Sequence, residues 1–412
     1  MEYKTKYFNI YGYPIKKFKT VNIRVSFMTN VNKKDFILSE LLLNMLVYTN
    51  NKYHTNKEYN MALQDLYDLF ISCSTIRHGN KIISNIDLNM IDPKYTSKKI
   101  LKESIEFLKE SIFNPYVYDN HFDTNSFNVV KGQLNTYINN IMELPQNRVI
   151  EKTLSSYENT FLDATLLSSK KYLDEIDEYK LYEYYKEFLN NREIDIYVCG
   201  DYSDDAINLL AKLPLKSKDI KYLEKDYDYE TLKPTYLYED YNQSKLGLLL
   251  KYNCINDYEK KYVAPMMNSI LGGLQDSLLM ESVREQESLV YYIESIIYKY
   301  DQVILVYSGF SSENSEVVLK KIDDAIKRLS KGDFNDELLK SAITDALVVL
   351  EDSERTPFTI MNFMMSYYHL YHDTIKEKIE GFKKVTKKDI MELAKKVKTI
   401  NIVLLRDKNE RV

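Results

Sequence analysis

Residues 270–292 read ILGGLQDSLLMESVREQESLVYY. Gly272 and Gly273 open the stretch, a helical pattern follows, and Arg284 stands near that helix's end. A β-rich run starts at Leu289 and places Tyr291 seven residues after the arginine. A helix–strand corner beside a glycine turn holds side chains more rigidly than a loose loop does. It suits a guanidinium that grips a carbonyl and a phenol that donates a hydrogen bond. The plainer reading is structural. Arg284 then pairs with Glu281 or Glu285, and Tyr291 is a half-buried strand residue in a chain with 37 tyrosines. Strand alternation sends Tyr291 and Tyr292 to opposite faces, so only one of them lines a given surface.

Outward from this corner, the chain shows the same order of elements twice. The first half opens with a strand, VNIRVSFMT, and two helices, DFILSELLLNMLVYTN and YNMALQDLYDLFIS. A hairpin-like pair, STIRHG and KIISNIDLNMI, leads into a run of helices, and the strand EIDIYVCGD closes the half. The second half repeats this with strand SKLGLLLKY, two helices ending in QDSLLMESVREQES, and the paired runs VYYIESIIYKY and QVILVYSGF. Further helices follow, a capping-box-like start at Thr386 and Asp389 begins another, and TINIVLLRD closes the chain. The opening elements of the halves are offset by roughly 222 residues, which marks an internal duplication. The expected fold class is α+β: two homologous α/β-sandwich domains, each a largely antiparallel sheet with packed helices. The expected boundaries are 1–215 and 236–412, with a charged, Tyr-rich linker over 216–235.

Composition narrows the function. With 412 residues and 44% hydrophobic content the chain is long enough for two full cores. Net charge is −5 and no long basic run occurs, which argues against nucleic acid as a partner. No apolar run has the ~18 residues of a membrane span, and the N-terminus lacks a signal peptide's apolar core. Cys73, Cys199 and Cys254 are odd in number and far apart, so they read as reduced thiols of a cytoplasmic protein. Gly272–Gly273 lacks the spacing of a nucleotide-binding loop. His369 and His372, with Asp373 beside them, have a spacing that can bind a metal, but no third ligand is evident in the motif.

The helix around Phe36–Val47 is apolar on nearly every side except at Glu40 and Asn44. These two are four residues apart and share one side. That side faces solvent or a polar cleft, or it is a site; Glu and Asn alone are not a complete metal set.

The 270–292 stretch resembles the C-terminal-domain signature of the insulinase-like zinc peptidases (the pitrilysin or M16 family). That signature has glycines after a helix, a second helix ending in Val-Arg-Glu, and a tyrosine seven residues past the arginine; Arg284 and Tyr291 match it. Gln243–Ser244 and YKEFLNNREIDIYVCGD support the resemblance, which covers essentially the whole chain and fits the short, M16B-type subunit. The family's catalytic residues do not carry over. Active members have His-x-x-Glu-His followed by Met-Leu, whereas the aligned segment here is ELLLNML. Glu40 and Asn44 stand where the histidine ligands would be, and Leu43 where the general base would be. The third ligand, a glutamate, should fall within KGQLNTYINN, which has no carboxylate.

What the resemblance implies is a zinc-less subunit of a heterodimeric peptidase, similar to the inactive partners of Firmicutes pairs. Such a chain holds no metal or other cofactor itself; the Zn²⁺ is expected in a partner bearing His-x-x-Glu-His. Arg284 and Tyr291 would act in trans on a peptide at the partner's zinc, with Gly272 and Gly273 at the substrate. In isolation the surface meant for a partner would be exposed, which leaves a homodimer possible. The other readings are a non-catalytic scaffold or peptide-binding protein with both sites vestigial, and an independent enzyme using other residues.

Overall fold

The computed structural model describes residues 1–96, 99–225, 227–241, 243–285 and 289–410; of residues 284, 285 and 410 it describes the backbone alone. The chain forms two compact units. The first comprises Met1–Asn139, Ala164–Glu224 and Ser353–Leu370. The second comprises Asn140–Asp163, Lys225–Asp352 and Tyr371–Val412.

The first unit contains β1 (Glu2–Lys4), β2 (Asn9–Pro14), β3 (Thr20–Asn30), β4 (Phe70–His78), β5 (Lys81–Ile91), the short pair β6 (Val117–Tyr118) and β7 (His121–Phe122), and β8 (Glu193–Gly200). Its main sheet runs β1-β2-β8-β3-β5-β4. All pairings in it are antiparallel except β2 with β8. The second unit contains β9 (Thr235–Glu239), β10 (Ser244–Lys251), β11 (Val290–Tyr298), β12 (Val303–Phe310) and β13 (Lys398–Asp407). Its sheet runs β11-β12-β10-β13-β9, again with one parallel pair, β9 with β13. Read from the parallel edge, β2-β8-β3-β5-β4 and β9-β13-β10-β12-β11 are one topology drawn twice. The duplication expected from the order of elements is therefore present in the hydrogen-bonding ladder.

Alternation along each strand makes two buried faces. In β8, Ile194, Ile196 and Val198 join the main core of the first unit. That core is filled by the helix Lys33–Leu46, buried at Phe36, Ile37, Leu38, Leu41, Leu42, Leu43, Met45 and Leu46. Tyr197 and Cys199 point the other way and are covered by Ile360, Met361, Met364 and Met365 of the helix Pro357–Ser366. The second unit is built alike. Leu246, Leu248 and Leu250 of β10 face the main helical core. The opposite face, with Leu249, Leu305 and Val403, is covered by Val149 and Leu154 of the helix Pro145–Ser155. Both covering helices begin with proline, whose fixed φ and missing N–H suit the first helical turn. The helix over the second unit's sheet comes from the first half of the chain, and the helix over the first unit's sheet comes from the second half.

Two local details differ from expectation. The helix expected to run through YNMALQDLYDLFIS stops at Asp65. Tyr67 (φ 59°) and Asp68 (φ 55°) are left-handed, and Phe70 already belongs to β4. The second detail is Gly247, in the middle of β10. A Cβ there would lie 3.0 Å from Val149 Cγ1 and closer still to the Thr153 hydroxyl, so the glycine lets the covering helix reach the sheet. The stretch from Pro214 to Pro234 has no helix or strand among its described residues.

Candidate functional site

Helix Lys33–Leu46 is capped by Asn32, whose side chain accepts from the Asp35 N–H, and the burial of Leu41, Leu42, Met45 and Leu46 sets which way residues 40–44 point. The Asn44 amide donates to the Glu40 carbonyl at 2.8 Å and to Glu40 Oε1 at 3.1 Å. Burial raises the Glu40 carboxyl, and hydrogen bonds from Thr75 of β4 and from Asn44 oppose that rise. Leu43 is fully buried hydrocarbon. Nearby Cys73 is held as a thiol, because burial and the charges of Glu40 and Asp87 push it up. The donor set around Glu40 is thus a carboxylate, an amide and a hydroxyl, already satisfying one another. It includes no histidine, its neighbouring cysteine is held as a thiol, and its one carboxylate is engaged by Asn44 and Thr75, so it is short of the three ligands and separate base of a catalytic zinc site.

The second location is the corner at residues 270–292. A π-helical turn, Ser269–Gly273, ends in the two glycines. A Cβ on Gly272 would meet Leu279 Cδ1 at 2.7 Å and Ser295 Oγ at 2.8 Å, so this glycine permits the contact between the turn and β11. Gly273 is exposed. The expected helix carrying Arg284 is a single turn, Leu278–Met280, continued by a π-helical turn, Glu281–Glu285. The Arg284 side chain lies outside the described residues.

Tyr291 sits at the start of β11, an edge strand of its sheet. The register steps from Val290↔Phe310 to Tyr292↔Gly309, which makes Tyr291 the extra residue of a β-bulge. A bulge interrupts plain alternation and re-aims the side chain it carries. Tyr291 is 55% exposed, and its hydroxyl lies 3.4 Å from Ser311 Oγ. Tyr292 has a different setting. Its hydroxyl donates to Gln146 of the covering helix, and Lys245 Nζ stands 5.0 Å from its ring centroid. Burial pushes the Tyr292 phenol up to about 12. The framework uses the second tyrosine, and the bulge presents the first.

Sequence reasoning missed a third grouping, in the first unit. Glu193 and Asp195, both on β8, meet His369 just beyond the helix Pro357–Ser366. The signal was an aspartate inside the otherwise apolar IDIYV, but its partner is too far along the chain for any local motif to show. His372 is exposed and not part of the group.

With these geometries in view, the comparisons with known proteins are consistent. Residues 175–345 match the family described as Peptidase M16 inactive domain. The chain is 22% identical to the probable inactive metalloprotease YmfF of Bacillus subtilis (strain 168), over 96% of this chain and 95% of that protein. Its fold is similar to that of a conserved protein from Enterococcus faecalis V583, with TM-score 0.89, 23% identity and coverage of 100% and 99% of the two chains. It is also similar to a peptidase M16 inactive domain from Pseudomonas fluorescens, with TM-score 0.79, 15% identity and coverage of 98% and 97%. A protease from Helicobacter pylori has the same fold, with TM-score 0.78, 12% identity and coverage of 98% and 99%. Residues 175–345 thus match the M16 inactive-domain family, and the fold of the whole chain is similar to that of these proteins.

Proposed function

We propose that the chain is the zinc-less subunit of a heterodimeric M16 metallopeptidase that processes peptides in the cytoplasm. Its mate carries His-x-x-Glu-His and the zinc, and this chain completes the chamber around the substrate. Peptide hydrolysis at zinc builds negative charge on the scissile carbonyl oxygen, and a preorganised donor aimed at that oxygen stabilises it. In this reading Tyr291 is the donor and Arg284 holds the peptide or orients the phenol. Gly272 and Gly273 form the turn that places both beside the substrate.

The observation that carries this reading is the exposed Tyr291 phenol on a bulge of an edge strand, next to a tyrosine whose own hydroxyl is engaged in packing. The chemistry around Glu40, Leu43 and Asn44 supports it from the other side, because no zinc-bound hydroxide can be assembled from those groups.

Co-expression with a mate bearing His-x-x-Glu-His tests the assignment. A stable 1:1 complex is expected, with peptide hydrolysis that neither chain shows alone and that chelators abolish. A complex that binds peptide without cleaving it would favour a scaffold with vestigial sites. Turnover by this chain alone would refute the proposal.

A further inference from the structure

The Glu193, Asp195 and His369 side chains offer one ligand atom each, all within 4.8 Å of one another. His369 Nε2 lies 2.7 Å from Asp195 Oδ2, and Nδ1 lies 3.7 Å from Glu193 Oε1. The Asp195 and His369 side chains are 3% and 7% exposed. An ordinary imidazolium–carboxylate pair would join Nε2 to Oδ2 through the ring N–H. Beyond that contact, neither atom has a hydrogen-bond partner among the described residues. The Tyr197 hydroxyl, fully buried on the same strand, is likewise unsatisfied. Buried polar atoms without partners are rare enough that several together call for a missing ion or water.

The surroundings limit what that species is. Tyr222 donates to Glu193 Oε2, which leaves Oε1 for another partner. The charge of Lys81 acts on both carboxylates, and its ammonium sits 3.8 Å from the Tyr222 ring centroid. Arg24 is occupied by Asp87 and Asn362. With the imidazole neutral, two carboxylates facing one lysine leave a net negative charge. A pair of carboxylate oxygens and an imidazole nitrogen is a borderline donor set of the kind that takes zinc. Glu193, at 26% side-chain exposure, gives the site an edge open to solvent.

We infer that Glu193, Asp195 and His369 form a divalent-cation site of zinc type, which clamps the segment Ser353–Leu370 to β8 within the first unit. This site is separate from the Glu40–Asn44 position, and it does not rest on the proposed peptidase role.

Calorimetric titration of the chelator-treated full chain with ZnCl₂ near neutral pH tests it, with MgCl₂ as control. One equivalent of Zn²⁺ is expected to bind. E193Q and D195N should each weaken it at least about tenfold, the scale on which even outer-shell changes act. E40Q should bind as the wild type does. E193Q changes a partly exposed group by one atom and keeps the shape, so its effect is readable even if D195N unfolds. Co²⁺ added in place of zinc should give visible absorption bands that shift in H369A. Absence of a tight equivalent in the wild type, or an affinity unmoved by E193Q, would overturn the assignment and leave a buried ion pair.

Discussion

Tyr291 and Tyr292 are neighbours with opposite duties, and the bulge at Tyr291 separates them. Removing the Tyr292 hydroxyl strands Gln146, so Tyr292→Phe should cost about 1 kcal/mol of stability in denaturant unfolding. The exposed Tyr291 should tolerate the same change within about 0.5 kcal/mol. Glu40 gives a pH test. Burial raises its carboxyl, so the folded chain binds this proton more tightly than the unfolded chain does. The resulting cost is present above the folded-state pKa and vanishes below the ordinary value of 4.5. Glu40→Gln should therefore melt higher than wild type near pH 7, and the gap should close as pH falls toward 4.5; a gap that widens on acidification would contradict the burial argument. The arginine–tyrosine spacing and the two polar residues of the first helix were legible in the sequence because they are local. The bulge was not, since an extra residue shows only when the partner strand is known. Nor was the meeting of Asp195 with His369, which depends on where a distant helix lands.

The two covering helices teach the same lesson at the scale of elements. PFTIMNFMMS is visibly a helix that wants burial, but periodicity cannot say which sheet it covers. It covers the sheet of the first unit, where Met361 is 2% exposed. Met361→Ala should remove roughly 2–4 kcal/mol by opening a cavity. The helix Pro145–Ser155 makes the reciprocal choice and depends on Gly247 for its approach. Gly247→Val should destabilise the second unit by at least about 1–3 kcal/mol through overpacking, readable as a lower unfolding midpoint. The early end of the helix at Asp65 was hidden for another reason. Tyr67 and Asp68 are exposed, and a tyrosine is no usual sign of a left-handed stop; backbone bonds from the Asp68 N–H to the Gln64 carbonyl and from the Leu69 N–H to the Leu63 carbonyl close the helix end.

Across the whole molecule, the repeat was the most legible feature, because the order of strands and helices survives even where residue identity does not. The repeated topology, with one parallel pair in each sheet, shows the duplication at the level of pairing. The compact units nonetheless cut across the halves, since each takes its covering helix from the other half of the chain. No helix among the described residues is long and apolar enough to cross a membrane. The proposal that matters most is chemical: this chain would supply a donor to an oxyanion that another chain's zinc-bound hydroxide creates. Metal content alone does not test it, because the Glu193–Asp195–His369 site is assigned its own cation. Steady-state peptide hydrolysis by the reconstituted pair does, with Tyr291→Phe as the only change. The account predicts a kcat lowered roughly tenfold to a hundredfold at nearly constant KM. An unchanged kcat and KM would contradict it.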